Sequence, residues 1–466
     1  MSDPLPGVGA IARAVARGEV SATEVVTDHL QRAEASQTNL NAFTLIDHDG
    51  AMAAAEAIDQ RLANGDSIGP LAGVPIAVKD LIDQAGLPNT AGSRFPAPTP
   101  DASATAVTRL EAAGAVMIGR TGLHEYAFGF SSENHWFGPV CNPWDLSLSP
   151  GGSSGGSGSA VSAGVAAAAL GTDTGGSVRV PAALCAVVGL KVTHGRVPLT
   201  GVFPLAPSLD TLGPLARNVE DATLVYLAMA GHDPADAWSS PHQVTPPPGA
   251  LELSMTTIGV PHPWVDLRQT EEVAAGFAEA LRVLAAAGAR IIHLEVPDLV
   301  PSAELENSVY PEVAVIHQER WHTHPETYGP DVSHRLSEVF DIDPMAYIGA
   351  QEWRARIRHT AEAALTQCDF LMTPAVAAAA KPIGEETIEV AGKLVSYRPA
   401  FSRYSALINH TGLPAIALPL DMAGTPPPSI QLVAARWNEH RLLDVGAALE
   451  RIELSRYRLP PAAQIG

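Results

Sequence analysis

Two glycine- and serine-rich segments close together are the feature that most constrains this chain. Residues 150–159 read PGGSSGGSGS and residues 171–181 read GTDTGGSVRVP. Flexible linkers share this composition, but a linker would not enclose residues 160–170, whose small apolar side chains suit a tightly packed buried helix. Glycine permits positive φ and lets backbone N–H groups converge on a ligand. The second segment therefore predicts a nucleophilic hydroxyl beside an oxyanion hole.

Size and charge exclude several classes of protein. The chain has 466 residues, 46% of them hydrophobic, which is ample for a globular core. Its formal net charge of −21 argues against binding to nucleic acid or to anionic lipid. The N-terminal residues show no basic region followed by an apolar segment, and no apolar run is long enough to span a membrane. We therefore expect a cytoplasmic protein.

The cysteines do not form a recognisable framework. Cys141, Cys185 and Cys368 are far apart, and neither a Cys-x-x-Cys pair nor zinc-ligand spacing occurs. We therefore predict reduced thiols, no metal and no cofactor.

Apolar strands alternate with helices along the chain. A capping box at residues 21–24 predicts a helix over 22–35. Strands are predicted at 74–78, 115–118, 186–192, 256–260, 289–294, 370–374, 415–419 and 430–434. This alternation favours an α/β fold with a central, mostly parallel mixed β-sheet covered by helices on both faces.

The alternation continues across the proline-rich segment 234–248, so we expect that segment to connect two parts of one fold. The prediction is a single domain over 1–466. Its catalytic core would occupy about 70–220, and about 250–460 would complete the sheet and the substrate pocket.

Two further features have more than one interpretation. Lys79 closes the apolar strand at 74–78, where a buried charge requires either a salt bridge or a functional role. The aromatic residues of 125–144 suit either core packing or a pocket wall.

One familiar motif does not fit its context. Residues 151–155 match Gly-x-Ser-x-Gly, the nucleophile elbow of Ser-His-Asp hydrolases, but no strand leads directly into them. No P-loop pattern occurs either.

Three motifs in order are similar to the amidase signature family of serine hydrolases. They are AGVPIAVKD at 72–80, GGSSGGS at 151–157 and GTDTGGSVRVP at 171–181. The resemblance covers nearly the whole chain and implies the amidase-signature fold.

The resemblance also implies a catalytic triad. Ser177 would be the nucleophile, Ser153 the serine of a cis peptide bond, and Lys79 the base. A lysine can serve as a base only if its pKa falls well below about 10.4, which burial would achieve. The remaining site residues are predicted as oxyanion donors (Thr174, Gly175, Gly176 and Ser177), as loop supports (Gly152, Ser154, Asp173 and Arg179) and as the substrate pocket (Tyr126, Phe128, Gly129, Phe130 and Ser402).

Three functional hypotheses compete. The leading one is an amidohydrolase of linear C–N bonds in an amide, carbamate (as in a urethanase), urea or biuret. The alternative is the glutaminase subunit of a glutamyl-tRNA(Gln) amidotransferase, a branch of the family that this chain also resembles at 131–134 and 137–143. That resemblance implies a glutamine site with an acidic residue. The matching position in this chain is Ser402, which leaves the ammonium of glutamine unpaired. A non-catalytic binding protein would need a damaged triad, yet Lys79, Ser153 and Ser177 are all present.

The expected partner is therefore a small-molecule amide or carbamate, with no nucleic acid and no membrane. A homodimer is the predicted assembly.

Overall fold

The structure is a computed structural model that describes residues 5–249 and 251–464. In chain order, its strands are β1 Phe43–Ile46, β2 Pro75–Lys79, β3 Val116–Thr121, β4 Glu133–Asn134, β5 Gly138–Pro139, β6 Ala168–Asp173, β7 Val188–Lys191, β8 Thr211–Ala216, β9 Thr257–His262, β10 Arg290–Glu295, β11 Phe370–Pro374, β12 Thr387–Val390, β13 Lys393–Ser396, β14 Ala415–Pro419 and β15 Ser429–Val433.

The α-helices within the same residues are α1 Val8–Ala16, α2 Ala22–Leu40, α3 His48–Ala63, α4 Thr105–Ala112, α5 Gly155–Ser162, α6 Arg179–Leu184, α7 Val219–Met229, α8 Glu271–Ala286, α9 Glu304–Thr323, α10 Pro330–Val339, α11 Pro344–Ala364, α12 Tyr397–Ser402, α13 Ala406–Thr411 and α14 Glu439–Arg451.

One sheet organises both halves of the chain. Its eleven strands, counted over the described residues, lie in the order β1-β3-β2-β6-β8-β7-β14-β15-β11-β9-β10. Strands that precede the segment 234–248 form one side, and strands that follow it form the other. Strands β7 and β14 pair where the two halves meet.

The sheet is mixed, but its parallel share is smaller than the strand and helix alternation indicated. Among the described residues, four neighbouring pairs run parallel, namely β3–β2, β2–β6, β11–β9 and β9–β10, and the other six run antiparallel. Strands β14 and β15 show the reason, because the short connection 420–428 can join only antiparallel neighbours.

Helices flank the sheet where it is most deeply buried. Every residue of β2, β3, β6 and β8 is buried, which requires cover on both faces. Helix α5 packs against β2, β3 and β6, while α7 packs against β7 and β8. The carboxyl ends of β2 and β6 are therefore held in a rigid, water-poor part of the molecule.

The helix predicted over 160–170 is wrong in its second half. Helix α5 ends at Ser162, Gly164 adopts a φ of +71°, and β6 begins at Ala168. Small apolar residues suit a helix and a crowded central strand equally well, and here tertiary packing selects the strand. Strand β8 was also missed, because Gly213 and Pro214 conceal its apolar pattern.

The capping box at the start of α2 is confirmed. The Ser21 hydroxyl accepts a hydrogen bond from the Glu24 N–H at 3.0 Å, and the Ser21 N–H donates to the Glu24 carboxylate at 2.9 Å. The helix runs past the predicted end at 35 to Leu40, where Asn41 adopts a left-handed conformation.

The predicted reduced thiols are also confirmed, since Cys141, Cys185 and Cys368 are free. Over residues 5–249 and 251–464, none of the helices combines the length and the apolar character needed to cross a membrane.

Candidate active site

The carboxyl ends of β2 and β6 bring together residues that are far apart in sequence. The two strands are parallel neighbours, with Val78 beside Leu170. Lys79 therefore ends β2 next to the last residues of β6, Thr172 and Asp173. Ligand sites in open α/β sheets lie beyond the carboxyl ends of strands, so this is the expected place for a site.

Lys79 occupies a fully buried position between two hydroxyl groups. Its Nζ lies 2.7 Å from Ser153 Oγ and 2.8 Å from Thr172 Oγ1. Burial lowers the pKa of Lys79 to about 7, although the carboxylates of Asp210 and Asp173 act to raise it. The salt-bridge interpretation of this lysine is wrong, because its contacts in the structure are hydroxyl groups. A neutral lysine here can accept a proton from a neighbouring hydroxyl.

Ser153 lies in the loop that leads into α5, and the peptide bond between Gly152 and Ser153 is cis. The Ser153 side chain is buried beside Lys79. Its carbonyl oxygen accepts hydrogen bonds from the His124 N–H at 3.1 Å and from the Ser132 hydroxyl at 3.2 Å. Backbone contacts on either side of the loop therefore fix the Ser153 hydroxyl against the lysine.

Ser177 lies in the loop that follows β6, just before α6. Its side chain is 3% exposed, and its hydroxyl makes no hydrogen bond to any described residue. Neighbouring serines differ from it, since Ser154 Oγ donates to the Thr172 carbonyl and Ser157 Oγ donates to the Leu170 carbonyl. Ser177 is thus the loop serine whose hydroxyl is free to react.

An ion pair beneath the loop holds its shape. The Asp173 carboxylate accepts hydrogen bonds from Arg179 Nε at 3.0 Å and Nη2 at 2.9 Å, and from Asn409 Nδ2 at 2.8 Å. All three side chains are buried. Burial acts to raise the pKa of Asp173, but the Arg179 charge and hydrogen bonds dominate and lower it to about 2. Asp173 and Arg179 thus lie where loop-supporting residues were predicted.

One of the four predicted oxyanion donors is already hydrogen-bonded within the protein. The Gly176 N–H donates to Asp173 Oδ1 at 2.8 Å, so that amide is directed into the ion pair. Gly176 also has a φ of +131°, and a Cβ there would lie 2.1 Å from Ser405 Oγ, which makes glycine necessary. Among the described residues, the amides of Thr174, Gly175 and Ser177 donate no hydrogen bond to Asp173. These three therefore remain the predicted oxyanion donors.

Contacts from distant segments hold two adjacent residues of the same loop. Thr174 Oγ1 donates to Asp210 Oδ1 at 2.5 Å. Ser405 Oγ donates to the Gly175 carbonyl at 2.8 Å. The loop amides are thereby fixed before any substrate binds, which is the condition for efficient oxyanion stabilisation.

A cavity of about 470 Å³ opens in front of Ser177. This Ser177 pocket is lined mainly by apolar and aromatic side chains, with a few charged ones. The lining residues are Ala127, Phe128, Gly129, Phe130, Thr174, Gly175, Ser177, Leu205, Pro301, Ser302, Ala303, Leu305, Glu306, Val309, Tyr310, Arg335, Arg398, Pro399, Ser402, Ala406 and His410. The pocket has the size and polarity of a site for a small organic molecule.

The structure brings four of the five predicted pocket residues to the Ser177 pocket. Phe128, Gly129, Phe130 and Ser402 line it, while Tyr126 does not. Tyr126 is 1% exposed, and its ring packs against Phe203 and Tyr328. The prediction of Tyr126 as a pocket residue is therefore not met: its backbone has a φ of +53°, and its side chain does not line the Ser177 pocket.

The sequence did not indicate several residues that complete the site. They are Thr172, Asp210, Ser405, Asn409 and Gln431, whose side-chain oxygen accepts from Arg179 Nη1 at 2.5 Å. Thr172 lies inside a recognised motif and could have been suspected. The others carry no local signal, because only the folded sheet brings them to the loop.

Replacing Thr172 with valine tests the second hydroxyl at Lys79. We expect kcat/KM to fall about tenfold, since one charge-assisted hydrogen bond is lost. The Thr172 hydroxyl accepts from the charged lysine and so favours it, and its removal should shift the acidic limb of the pH profile to lower pH. Thr172→Ser, which keeps the hydroxyl, is the control. An unchanged profile in the valine variant would show that Thr172 does not influence Lys79.

Replacing Asp173 with asparagine tests the buried ion pair. We expect the free energy of unfolding to fall by about 3–5 kcal/mol, because the buried Arg179 charge loses its partner. Urea denaturation measures the change. Glu220→Gln is the control, since its salt bridge with Arg13 is exposed and should contribute less than about 1 kcal/mol. Equal losses in both variants would contradict the structural role of Asp173.

Comparison with known proteins agrees with this geometry. Residues 24–443 match the Amidase family, and the chain belongs to that family. It is therefore an amidase-signature hydrolase that acts on amide C–N bonds, and the resemblance found in the sequence is confirmed.

Individual relatives span almost the whole chain. It is 38% identical over 480 residues to a glutamyl-tRNA(Gln) amidotransferase subunit of Anaeromyxobacter dehalogenans (strain 2CP-C), with 96% of each chain covered. It is 37% identical over 462 residues to the AtzE subunit of the 1-carboxybiuret hydrolase of Pseudomonas sp. (strain ADP), covering 96% of this chain and 99% of that one.

A solved structure described as an unexpected vestigial protein complex, which reveals the evolutionary origins of an s-triazine catabolic enzyme, is also similar. It superposes with a TM-score of 0.90 at 35% identity, covering 97% of this chain and 100% of the other.

Proposed function

We propose that this protein hydrolyses linear amides through an acyl-enzyme formed on Ser177, with Ser153 and Lys79 moving the proton. The observation that carries the proposal is the buried contact of 2.7 Å between Lys79 Nζ and Ser153 Oγ, next to a pocket that Ser177 lines. A lysine with a pKa near 7 is partly neutral at physiological pH and can act as a base.

The proposed reaction proceeds in two stages. Ser177 Oγ attacks the amide carbon as its proton passes to Ser153 Oγ, whose own proton passes to Lys79. The oxyanion is bound by the loop amides, each worth on the order of 3 kcal/mol. The protons then return along the same path to the leaving nitrogen, the C–N bond breaks, and water hydrolyses the acyl-enzyme.

This mechanism requires one side-chain movement. Ser177 has no hydrogen-bond partner among the described residues, so its hydroxyl must approach Ser153 when substrate binds. Rotation about a single side-chain bond provides such a change at little cost, and catalytic hydrogen bonds commonly tighten on substrate binding.

The substrate is proposed to be an amide or an activated relative such as a carbamate, urea or biuret derivative. The mainly apolar lining of the Ser177 pocket supports a substrate with an aryl or alkyl part. The name of the 1-carboxybiuret hydrolase relative supports the biuret option.

The amidotransferase alternative draws support from the relative in Anaeromyxobacter dehalogenans. Against it, Ser402 lines the pocket at the position matched to the glutamine-binding acid, and its hydroxyl donates to the Arg398 carbonyl at 3.0 Å. A serine there cannot balance the ammonium of glutamine. A non-catalytic role is disfavoured because Lys79 and Ser153 are in contact.

A hydrolysis screen separates these functions. The purified chain should be incubated with anilides, aliphatic amides, carbamates, ureas, biuret and glutamine, with Ser177→Ala as the blank. We expect Ser177-dependent turnover of at least one substrate other than glutamine. Turnover of glutamine alone would favour the amidotransferase, and turnover of none would overturn the proposal.

Because strands from both halves share one sheet, we propose that 1–466 act as a single domain. The homodimer and the cytoplasmic location stay predictions from the sequence. Light scattering tests the dimer, which should have twice the 48.6 kDa mass of the chain.

A further inference from the structure

Two arginines on one wall of the Ser177 pocket share a single carboxylate. Arg335 Nη2 lies 2.8 Å from Asp331 Oδ2, and Arg398 Nη2 lies 2.5 Å from Asp331 Oδ1. Both arginines line the pocket, but Asp331 does not. Each arginine offers a fork of donors suited to one carboxylate, so one aspartate leaves part of this capacity unused.

Arg335 has a hydrogen-bond donor that remains unpaired within the described part of the chain. Its side chain is buried, and its Nε–H has no hydrogen-bond partner among the described residues. Its guanidinium lies over the Phe128 ring, 4.7 Å from the ring centroid, and Phe128 also lines the pocket. A buried guanidinium N–H without a partner is costly, so a ligand that accepts this hydrogen bond would be favoured.

Asp331 balances the charge of one arginine, and the other described groups around the pair do not balance the charge of the second. Burial lowers the pKa of His124 to about 4, so this contact of Asp331 is uncharged near neutral pH. Glu386 lies 4.0 Å from Arg398 but is 70% exposed, which makes the pair weak. Burial together with repulsion from Arg398 lowers the pKa of Arg335 to about 10. Burial acts to lower the pKa of Arg398 too, but Tyr397 and Asp331 raise it, so Asp331 balances Arg398 better than Arg335.

One carboxylate, Glu306, also lines the Ser177 pocket. It is exposed, and within the described part of the chain it forms no salt bridge with either arginine. Because Glu306 is exposed, solvent and salt screen its repulsion of an anionic ligand. Arg335, which is buried, and Arg398, which is half-buried, therefore give this wall of the pocket its preference for an anionic ligand.

On the basis of the hydrolase function proposed above, we propose that the substrate carries a carboxylate that binds to Arg335 and Arg398. The apolar part of the pocket would hold the aryl or alkyl body, and the two arginines would fix its orientation relative to Ser177. The substrate class is thus a monoanionic amide, with the carboxylate on either the acyl or the amine side.

Two series of anilides test this inference for both sides of the scissile bond. The first contains the monoanilides of succinic, glutaric and adipic acids, each beside its terminal carboxamide. The second contains acetanilides made from 3- and 4-aminobenzoic acid, each beside the aminobenzamide analogue. Binding to Ser177→Ala is measured by calorimetry, so that the result does not depend on turnover.

We expect the carboxylate member of at least one pair to bind tenfold tighter or more than its carboxamide. Adding Arg335→Gln should remove that preference, because binding of the carboxylate should fall more than binding of its carboxamide. Glu306→Gln should keep or increase the preference. Arg441→Gln is the matched control, since its partner Asp369 lies outside the pocket and the preference should persist.

Arg398→Gln, at a less buried arginine, provides a second variant in case Arg335→Gln fails to fold, and it should reduce the preference at least threefold. Equal binding of carboxylates and carboxamides in every pair would overturn the inference. Ser177-dependent hydrolysis of the carboxamides in that case would leave the proposed amide hydrolysis standing. A carboxylate preference without any turnover would support the anionic subsite and count against the hydrolase.

Discussion

Replacing Ser177 with alanine is expected to lower kcat/KM by about 10⁴-fold or more, because the acyl-enzyme cannot form. The same change should leave the free energy of unfolding within about 0.5 kcal/mol of the wild type. The Ser177 hydroxyl has no hydrogen-bond partner among the described residues, so its removal leaves no buried group unpaired. Activity assays and urea denaturation provide the two measurements.

Ser157→Ala is the matched control for this prediction. Ser157 Oγ donates to the Leu170 carbonyl and contacts Thr121 Oγ1, both at 2.8 Å and both buried. Its loss should lower the free energy of unfolding by about 1–3 kcal/mol while the hydrolysis survives. A Ser177→Ala enzyme that retained more than a hundredth of the wild-type activity would refute the assignment of the nucleophile.

Replacing Lys79 with arginine should inactivate the enzyme almost as completely as replacement with alanine. Arginine keeps the positive charge but cannot lose its proton in a protein, so it cannot accept one from Ser153. We expect a loss of several orders of magnitude in kcat/KM. An arginine variant with more than a tenth of the wild-type activity would show that Lys79 acts only as a structural cation.

The pH dependence of the wild type tests the same role. The lowered pKa of Lys79 is about 7, and the neutral form is the active one. Thus kcat/KM should rise with pH through about 7 and then level off, in a limb that belongs to the coupled lysine and serines. Any residual activity of Lys79→Ala should lack this limb.

A second buried lysine provides the control for that profile. Burial lowers the pKa of Lys191 to about 7 as well, but its Nζ donates to the carbonyls of Val192 and Leu413. Lys191→Met should destabilise the fold and leave the acidic limb where it is. If the acidic limb disappeared in this variant, the group that titrates would be Lys191 and not Lys79.

The sequence predicted the parts of the fold that have strong local patterns. Strand β2 and the capping box before α2 were visible because their signals lie within a few residues. Strands β6 and β8 were not, since an alanine-rich run reads equally well as helix and Gly213-Pro214 interrupts an apolar pattern. What decides these strands is their central place in the sheet, which no local pattern encodes.

The site was predictable to a similar extent. The motifs gave the positions of Lys79, Ser153 and Ser177, and the structure places Lys79 and Ser153 in contact. The sequence could not show that Gly176 directs its N–H to Asp173, or that Tyr126 faces away from the pocket. Both depend on backbone conformations with positive φ, which tertiary contacts select.

Identifying the serine that reacts tests the proposed role of Ser177 most directly. The wild-type protein should be treated with a fluorophosphonate and digested, and the modified peptide located by mass spectrometry. We expect a single modification, on Ser177, whose rate rises with pH through about 7. Modification of Ser153, Ser154 or Ser157 in place of Ser177 would contradict the proposed role.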